Sequence, residues 1–382
     1  MSLNQVYITK TSSFLPNEPI SNEEMESYLG FIEGKPSKSR RIVLRSNGIK
    51  TRYYALDKQG KPTHTNAQMA SLAVRALFDQ DAEQLKSIEL LTSGTSSPDQ
   101  LLPSHAVMVH GWLPETKAIE VVSPSGACCS GMHALKYAFM SIRGGDVSTA
   151  VSTGSERTSR IMRAEVFATE AHNLSALEEN PYIGFEKEFL RWMLSDGAGA
   201  FLLSNAPKPN EINLRIDWIE GMSFANQLET CMYMASDKQP DGSLKSFMDY
   251  SAEDIVSLSI LSMKQDVKML SQNIVALGFD NMKEILLKKG ISIDSIDYLL
   301  PHMSSEFFRG KISERLDTNN NSIPQEKWFT NLSKVGNVGA GSIYLMLDEL
   351  VKSNFLKVGQ RILLAVPESA RFSYMFCMIT VV

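Results

Sequence analysis

The stretch AIEVVSPSGACCSGMHALKYAFMSIRGGDVSTAVSTGSE, residues 118–156, decides which class of fold the sequence predicts. Its first five residues predict a strand, and the small residues SPSGA predict a turn after it. Over 129–142 the apolar residues recur at helical spacing, and Gly144 and Gly145 predict the end of that helix. The residues DVSTAVSTGSE then predict a second strand. A strand, a helix and a strand in this order are typical of an α/β fold.

The same alternation continues on both sides of this unit. Short β-rich segments and longer segments of helical period follow one another, with glycines or prolines between them. The predicted elements are a helix over 65–78, a buried strand over 87–91, a glycine-rich turn over 196–200 leading into the strand FLLS, a strand IDYLLP, a helix over 304–316 and a helix SIYLMLDELV after 336–341.

The linker over 207–210 divides the chain into two halves. The late units of the second half repeat the layout of the first, so we predict two similar α/β halves over 1–207 and 208–382. Within the first half, 157–191 has mixed charge and contains Pro181, which predicts an irregular excursion over the surface.

Composition excludes several classes of protein. The chain has 382 residues, of which 43% are hydrophobic and 21% charged, unlike a disordered chain, a collagen or a coiled coil. Lys and Arg total 38 and Asp and Glu total 43, which leaves a net charge of −5 and no overall positive field for nucleic acid or anionic lipid. The amino terminus does not resemble a signal peptide, and no apolar run approaches the ~20 residues that span a bilayer. We therefore expect a cytoplasmic protein.

Cys129 lies at the predicted junction between a strand and a helix. Backbone N–H groups and the positive end of the helix dipole stabilise a thiolate at such a junction. The small residues around it allow a substrate carbonyl to approach backbone donors, as an oxyanion site requires. Cys128 shares this neighbourhood, and we expect its side chain to point elsewhere. Taken alone, a cysteine in this setting is more often a buried hydrophobic residue.

His302 and Asn337 are the other candidates for a site. His302 ends an apolar strand in LLPHMSS, and Asn337 lies among glycines in VGNVGAGS, so each taken alone is more often structural. Together with Cys129, however, they lie at junctions between strands and helices, where α/β sheets place their sites. We therefore expect the three side chains to meet at one edge.

Three segments resemble those that carry the catalytic residues of β-ketoacyl-acyl carrier protein synthase III enzymes. GACCSGMHAL is similar to their cysteine segment, LLPHMSSEFF to their histidine segment and VGNVGAGSIYLMLDEL to their asparagine segment, in the same order. RSNGIKTRYY, SPDQLLPSHA and SDGAGAFLLS are similar as well, so the resemblance spans most of the chain.

The resemblance implies a thiolase fold, in which two similar halves form a five-layered αβαβα arrangement, and a homodimer. It also implies an acyltransferase that carries out a Claisen condensation between two thioesters. Cys129 would accept the acyl group, and His302 and Asn337 would hydrogen-bond the carbonyl of the second thioester. The substrates would be carried by acyl carrier protein or coenzyme A, with no further cofactor. Metal binding is not predicted, because no histidines and cysteines have the spacing of a ligand set.

The sequence departs from the family pattern at three places. Arg41 replaces a tryptophan that helps to hold coenzyme A, which favours an acyl carrier protein whose acidic surface meets Arg41 and Arg45; the alternative is that these arginines are solvated surface charges. VPESARFSYMF replaces a glycine run near the oxyanion site. Glu156 is a candidate general base beside the cysteine, although a salt-bridged glutamate is the more common case.

These departures resemble the secondary-metabolic branch that makes dialkylresorcinol precursors from two acyl thioesters. Fatty acid or polyketide-like biosynthesis is the broader expectation. Two alternatives stay open: a thioester hydrolase or acyltransferase that does not condense, and a catalytically silent subunit that binds a carrier protein. A biosynthetic thiolase is disfavoured, because Cys377 in FCMITV has no glycine nearby.

Overall fold

The structure is a computed structural model that describes residues 3–37, 40–166, 189–317 and 322–382. Its helices are α1 (Met25–Leu29), α2 (Arg40–Asn47), α3 (Asn66–Ala76), α4 (Ala82–Leu85), α5 (His105–Gly111), α6 (Ser130–Gly144), α7 (Ala252–Ser257), α8 (Val267–Lys288), α9 (Phe307–Leu316), α10 (Leu332–Val335) and α11 (Ser342–Lys352). Its strands are β1 (Tyr7–Phe14), β2 (Ile20–Ser21), β3 (Thr51–Arg52), β4 (Leu90–Gly94), β5 (Glu120–Val122), β6 (Thr149–Glu156), β7 (Gly197–Ser204), β8 (Leu214–Ser223), β9 (Met232–Tyr233), β10 (Ser236–Lys238), β11 (Leu244–Ser246), β12 (Lys264–Gln265), β13 (Tyr298–Pro301), β14 (Arg361–Glu368) and β15 (Ser373–Val381).

The strand–helix–strand unit predicted over 118–156 is confirmed as β5, α6 and β6. Helix α6 ends where expected, because Gly145 adopts the left-handed conformation at φ 88° and its N–H donates to the carbonyl of Ile142. Strand β6 is buried over almost its whole length, as expected for a strand covered on both faces.

The sheet shows the repeat of the two halves directly. In the first half the strand order is β5-β4-β6-β7-β1, and in the second it is β13-β14-β15-β8. In each half the first pairings are parallel and the later ones antiparallel. A parallel bridge between Leu299 and Trp328 occupies the place in the second half that β5 has in the first. The predicted α/β class with two similar halves is confirmed, and the exact boundary at 207–208, between β7 and β8, stays a prediction.

These nine strands form one continuous sheet, joined where β1 pairs with β8, and the helices form three layers around its two halves. Helices α3 and α5 cover the outer face of the first half, and α8 and α9 cover the outer face of the second. Between the halves, α6 and α11 share a core with strands of both sheets, where Leu135 of α6 and Leu347 of α11 are fully buried. This is the expected five-layered αβαβα arrangement, and it places the start of α6 between the two halves.

The glycine-rich segment before FLLS is part of β7 rather than a turn, so this prediction is wrong. Gly199 pairs with Ser13 and Gly154, and a Cβ atom built on it would lie 2.4 Å from the Cβ of Tyr344. The glycines therefore allow α11 to lie directly on the sheet. In the sequence alone, glycines with this role cannot be distinguished from the glycines of a turn. One further boundary differs, because the strand predicted over 87–91 is β4, which begins at Leu90. Most of the excursion predicted over 157–191 lies outside the described residues.

Gly154→Ala is expected to destabilise the protein by about 3 kcal/mol, because overpacking against backbone leaves little room to relax. A Cβ at this position would lie 2.2 Å from the carbonyl oxygen of Ala340 and 2.9 Å from the ring of Tyr344. Urea unfolding measures the change. Gly310→Ala is the matched control: it lies on the exposed side of α9 with nothing within 4 Å of an added Cβ, and is expected to be neutral or stabilising. Equal unfolding midpoints for the wild type and Gly154→Ala would contradict the close approach.

Among the described residues, no helix is both long enough and apolar enough to cross a membrane.

Candidate active site

A cavity lies where the two halves meet. Cys128 and Glu156 line it from the first half, and His302 and Asn337 line it from the second. The rest of the wall is mainly apolar and includes side chains of α8 and α9, among them Leu270, Ile274, Phe279, Phe308 and Ile312. Cys128, His302 and Asn337 therefore lie around one cavity, Cys129 is not among the residues that line it, and the catalytic roles predicted for Cys129, His302 and Asn337 stay predictions.

The two adjacent cysteines differ in exposure. Cys128 is partly exposed, lines the cavity and also packs against the core between the two halves, and the direction predicted for its side chain stays a prediction. Cys129 is only 1% exposed, packs in the core between the sheets, and its Sγ donates to the carbonyl of Val366 at 3.2 Å. Cys129 is the N-cap residue of α6, and its side chain lies against Val366 of β14.

Glu368, at the end of β14, holds the cysteine loop. One of its carboxylate oxygens accepts the N–H of Ala127 at 3.0 Å and the N–H of Cys129 at 2.9 Å, on either side of Cys128. These donors belong to the start of α6, where unpaired N–H groups attract negative charge. The N–H of Cys128 itself has no partner in another residue within the described part of the chain.

Burial and the nearby Glu368 carboxylate raise the pKa of both cysteine thiols. Burial also raises the pKa of Glu368, while its two backbone donors oppose that shift. Helix position alone would predict a lowered thiol pKa, so here the carboxylate and the loss of solvent outweigh the helix dipole.

Glu368→Gln is therefore expected to increase thiol alkylation by iodoacetamide at pH 8 about tenfold, which corresponds to about one unit of thiol pKa. Removing the negative charge lowers the thiol pKa and raises the thiolate fraction, and both bonds to Ala127 and Cys129 use a single oxygen, which glutamine retains. Alkylation rates measured against pH would show the shift. Glu253→Gln, an exposed site on α7, is the control. An unchanged rate for Glu368→Gln would refute the electrostatic coupling.

His302 follows β13, and its backbone N–H donates to the carbonyl of Ala365 at 2.8 Å. The side chain is 4% exposed, and burial lowers its pKa to about 4. The imidazole is therefore neutral near pH 7, so one ring nitrogen donates a hydrogen bond and the other accepts one.

Asn337 is held by both its backbone and its side chain. Its N–H donates to the carbonyl of Met193, and its carbonyl accepts from the N–H of Ser195, each at 2.9 Å. The side-chain Oδ1 accepts from the N–H of Gly339 at 2.9 Å. Since this bond uses the amide oxygen, the Nδ2 group is the part of the side chain available to a ligand in the cavity.

Glu156 joins the two halves beside the cavity. One oxygen accepts the N–H groups of Ser96 at 3.0 Å and Ala340 at 3.1 Å, and the other accepts the hydroxyls of Ser96 at 2.8 Å and Ser97 at 2.5 Å. Burial raises the pKa of Glu156, and these donors oppose the shift. A carboxylate surrounded by donors suits a clamp on the Asn337 loop better than the predicted general base, which has to present a lone pair to substrate.

Arg41 and Arg45 lie exposed on α2, and neither lines the cavity. The neighbouring Arg40 lies 5.6 Å above the ring of Trp192. The described residues contain no group of three or more His, Cys, Asp or Glu side chains that could hold a metal ion.

Sequence reasoning missed several polar residues of the cavity, among them Gln265 and Ser369. The unusual VPES segment was the available signal for Ser369 and for the carboxylate of Glu368. Nothing in the local pattern marked Gln265, because its contact with Ser369 joins residues that are 104 positions apart.

Two family models match the chain. The model described as 3-oxoacyl-[acyl-carrier-protein] synthase III C terminal matches residues 286–367, and that described as beta-ketoacyl synthase, N-terminal domain matches residues 120–208. The first match contains His302 and Asn337, and the second contains Cys128, Cys129 and Glu156.

Curated relatives and solved structures agree with these matches. The beta-ketoacyl-[acyl-carrier-protein] synthase III of Clostridium acetobutylicum is 24% identical over 371 residues, covering 94% of each chain. A tetronic acid condensing enzyme is 20% identical with a TM-score of 0.74, covering 98% of this chain and 99% of that one. OleA of Xanthomonas campestris is 16% identical with a TM-score of 0.75, covering 100% and 99%. With the cavity geometry, these findings identify the chain as a condensing, acyl-transferring enzyme of the thiolase fold that is similar to β-ketoacyl-acyl carrier protein synthase III.

Proposed function

We propose that the enzyme takes an acyl group onto the Cys128 thiol and condenses it with a second thioester held beside His302 and Asn337. The observation that carries this proposal is that Cys128, His302 and Asn337 line one cavity whose wall is mainly apolar. The predicted nucleophile Cys129 is the alternative, and its buried, hydrogen-bonded thiol disfavours it.

In the first step the Cys128 sulfur attacks the carbonyl carbon of an acyl thioester. The carrier thiol leaves with the proton that the cysteine loses, so one thioester replaces another. The N–H of Cys128 has no partner in another described residue, and it is placed to donate to the oxyanion that forms. Covalent capture divides a difficult carbon–carbon bond formation into two steps.

In the second step a malonyl- or β-ketoacyl-type thioester provides the carbon nucleophile. Loss of CO₂ from a malonyl group, or loss of a proton from a β-ketoacyl group, leaves an enolate whose oxygen is stabilised by neutral His302 and the Nδ2 group of Asn337. The enolate carbon attacks the acyl-cysteine, the new carbon–carbon bond forms, and the cysteine thiolate leaves. The thiolate is reprotonated by the proton lost from the β-ketoacyl group or, after loss of CO₂, by a proton from water.

The apolar wall from α8 and α9 supports an acyl chain as the group carried on the cysteine. We infer that the enzyme serves fatty acid or secondary-metabolite biosynthesis in the cytoplasm, with the dialkylresorcinol branch as the specific proposal. The VPES segment supports that branch, because Pro367 and Ser369 reshape the cavity where the related enzymes have glycines.

An acyl carrier protein is the proposed donor, with Arg41 and Arg45 on the exposed face of α2 as candidate contacts for its acidic surface. A homodimer is also part of the proposal. Strand β5 is an edge strand, and the large apolar side chains of Leu101, Leu102 and Met140 are exposed at 72%, 86% and 58% in the same half. Size-exclusion chromatography with light scattering would measure the oligomeric state.

The function is tested by following both steps with defined thioesters. Intact mass after adding octanoyl-carrier protein or octanoyl-coenzyme A reports acyl loading and which donor works. Adding malonyl- or 3-oxooctanoyl-carrier protein and analysing the products by mass spectrometry reports condensation, and the product mass distinguishes a linear from a cyclised compound. Octanoic acid without condensed product would indicate a hydrolase, and no loading from either donor would favour the silent subunit.

A further inference from the structure

Gln265 and Ser369 form a polar pair on the wall of the cavity. Gln265 ends β12, immediately before α8, and Ser369 follows β14. The amide nitrogen of Gln265 donates to the Ser369 hydroxyl at 3.0 Å, and both side chains line the cavity. Gln265 is only 7% exposed, so this pair lies inside the site rather than at its rim.

The second polar atom of the glutamine is left without a partner. No described residue hydrogen-bonds the Oε1 atom of Gln265, which is buried. The Ser369 hydroxyl, having accepted from Gln265, has the sulfur of Met232 at 3.8 Å as the acceptor for its own proton, and a thioether is a weak acceptor. An unpaired acceptor and a weakly used donor therefore lie side by side.

The unpaired Oε1 atom of Gln265 favours a ligand that donates a hydrogen bond. A buried acceptor without a hydrogen bond is unfavourable, and a hydrocarbon chain cannot donate one. The surrounding wall contains Met232 and Met263, which cannot donate. The backbone of Gln265 pairs with Met232 in the two-stranded sheet of β12 and β9, and its amide nitrogen is held by Ser369.

Gln265 and Ser369 are also connected to the loop that contains Cys128. Ser369 is next to Glu368, whose carboxylate contacts the backbone on both sides of Cys128. Cys128, Gln265 and Ser369 also line the same cavity, so an acyl group carried on that cysteine would share the cavity with the polar pair.

We propose that Gln265 and Ser369 bind an oxygen near C3 of the substrate, so that the enzyme selects an acyl thioester bearing a β-hydroxyl or an enolised β-keto group. The O–H of that group donates to Oε1 of Gln265, and its oxygen accepts from the Ser369 hydroxyl. This inference rests on the proposed function for its site, and it adds which class of acyl group the site prefers.

Binding of two short thioesters tests the proposal without requiring turnover. Octanoyl-N-acetylcysteamine and 3-hydroxyoctanoyl-N-acetylcysteamine differ only in the hydroxyl, and Cys128→Ala provides a background that cannot be acylated at that residue. We expect the hydroxylated ligand to bind more tightly in this background. Adding Gln265→Met, which keeps the side-chain length, is expected to weaken that ligand about tenfold to a hundredfold and the octanoyl ligand less than about threefold. Ser369→Ala is expected to act in the same direction.

Gln227→Met is the matched control, because Gln227 is exposed and does not line the cavity. Thermal melting shows whether each variant is folded. Equal weakening of both ligands by Gln265→Met would overturn the proposal in favour of contact with the shared amide arm, and no weakening of either would remove Gln265 from the binding site. Failure of the proposed function would give a different result: the wild type would bind the thioesters but would not become acylated.

Discussion

Cys128→Ala is expected to abolish acyl-enzyme formation, with a loss of about a thousandfold or more in the loading rate, as for other removed nucleophiles. Cys128 lines the cavity together with His302 and Asn337, whereas the thiol of Cys129 is buried against Val366. Intact mass after incubation with octanoyl-carrier protein measures the loading. The wild type is expected to gain one octanoyl group and Cys128→Ala none.

Cys129→Ala is the matched comparison, because it removes the neighbouring thiol from the same loop. It is expected to keep the octanoyl mass gain and to lose some thermal stability, since a buried side chain leaves the core between the sheets. Loss of loading in a folded Cys129→Ala, with loading retained in Cys128→Ala, would restore Cys129 as the nucleophile.

His302→Ala and Asn337→Ala are expected to separate loading from condensation. Each removes one donor to the enolate oxygen, and loss of such a donor lowers a rate about 10²- to 10³-fold. The octanoyl mass gain on Cys128 is expected to stay within about fivefold of the wild-type rate, because these donors act on the second thioester. Pre-loaded enzyme mixed with malonyl-carrier protein, with the condensed product followed by mass spectrometry, measures the second step alone.

The pH dependence provides a further check on His302. Because burial lowers its pKa to about 4, the imidazole stays neutral through the neutral range, and condensation should show no titration of this residue between pH 6 and pH 8. The unfolded state takes up the proton first as pH falls below about 6.5, so the contribution of His302 to stability is present above that value and declines toward pH 4.

For the alanine variants, equal losses in loading and condensation in both His302→Ala and Asn337→Ala would instead place the two residues in the first step.

Much of the architecture was readable from local pattern. The period of the apolar residues and the glycines at element ends predicted the β5-α6-β6 unit, the helix of Phe308 and Ile312, and the helix that follows Asn337. These features depend on neighbours a few residues apart, which is the range over which periodicity and capping act. The same local reasoning placed a cysteine, a histidine and an asparagine at junctions that converge in three dimensions.

The tertiary structure alone decided which groups face the cavity. Adjacent residues at the start of a helix point in different directions, so only packing against β14 distinguishes Cys129 from Cys128. The donors around Glu156 and the pairing of Gln265 with Ser369 join segments far apart in the chain, and no local pattern encodes them. The sequence by itself therefore determined the order of elements and the residue types near the site. The orientation of the side chains at the site followed from long-range packing between the two halves, because it depends on contacts with residues that are far apart in the sequence.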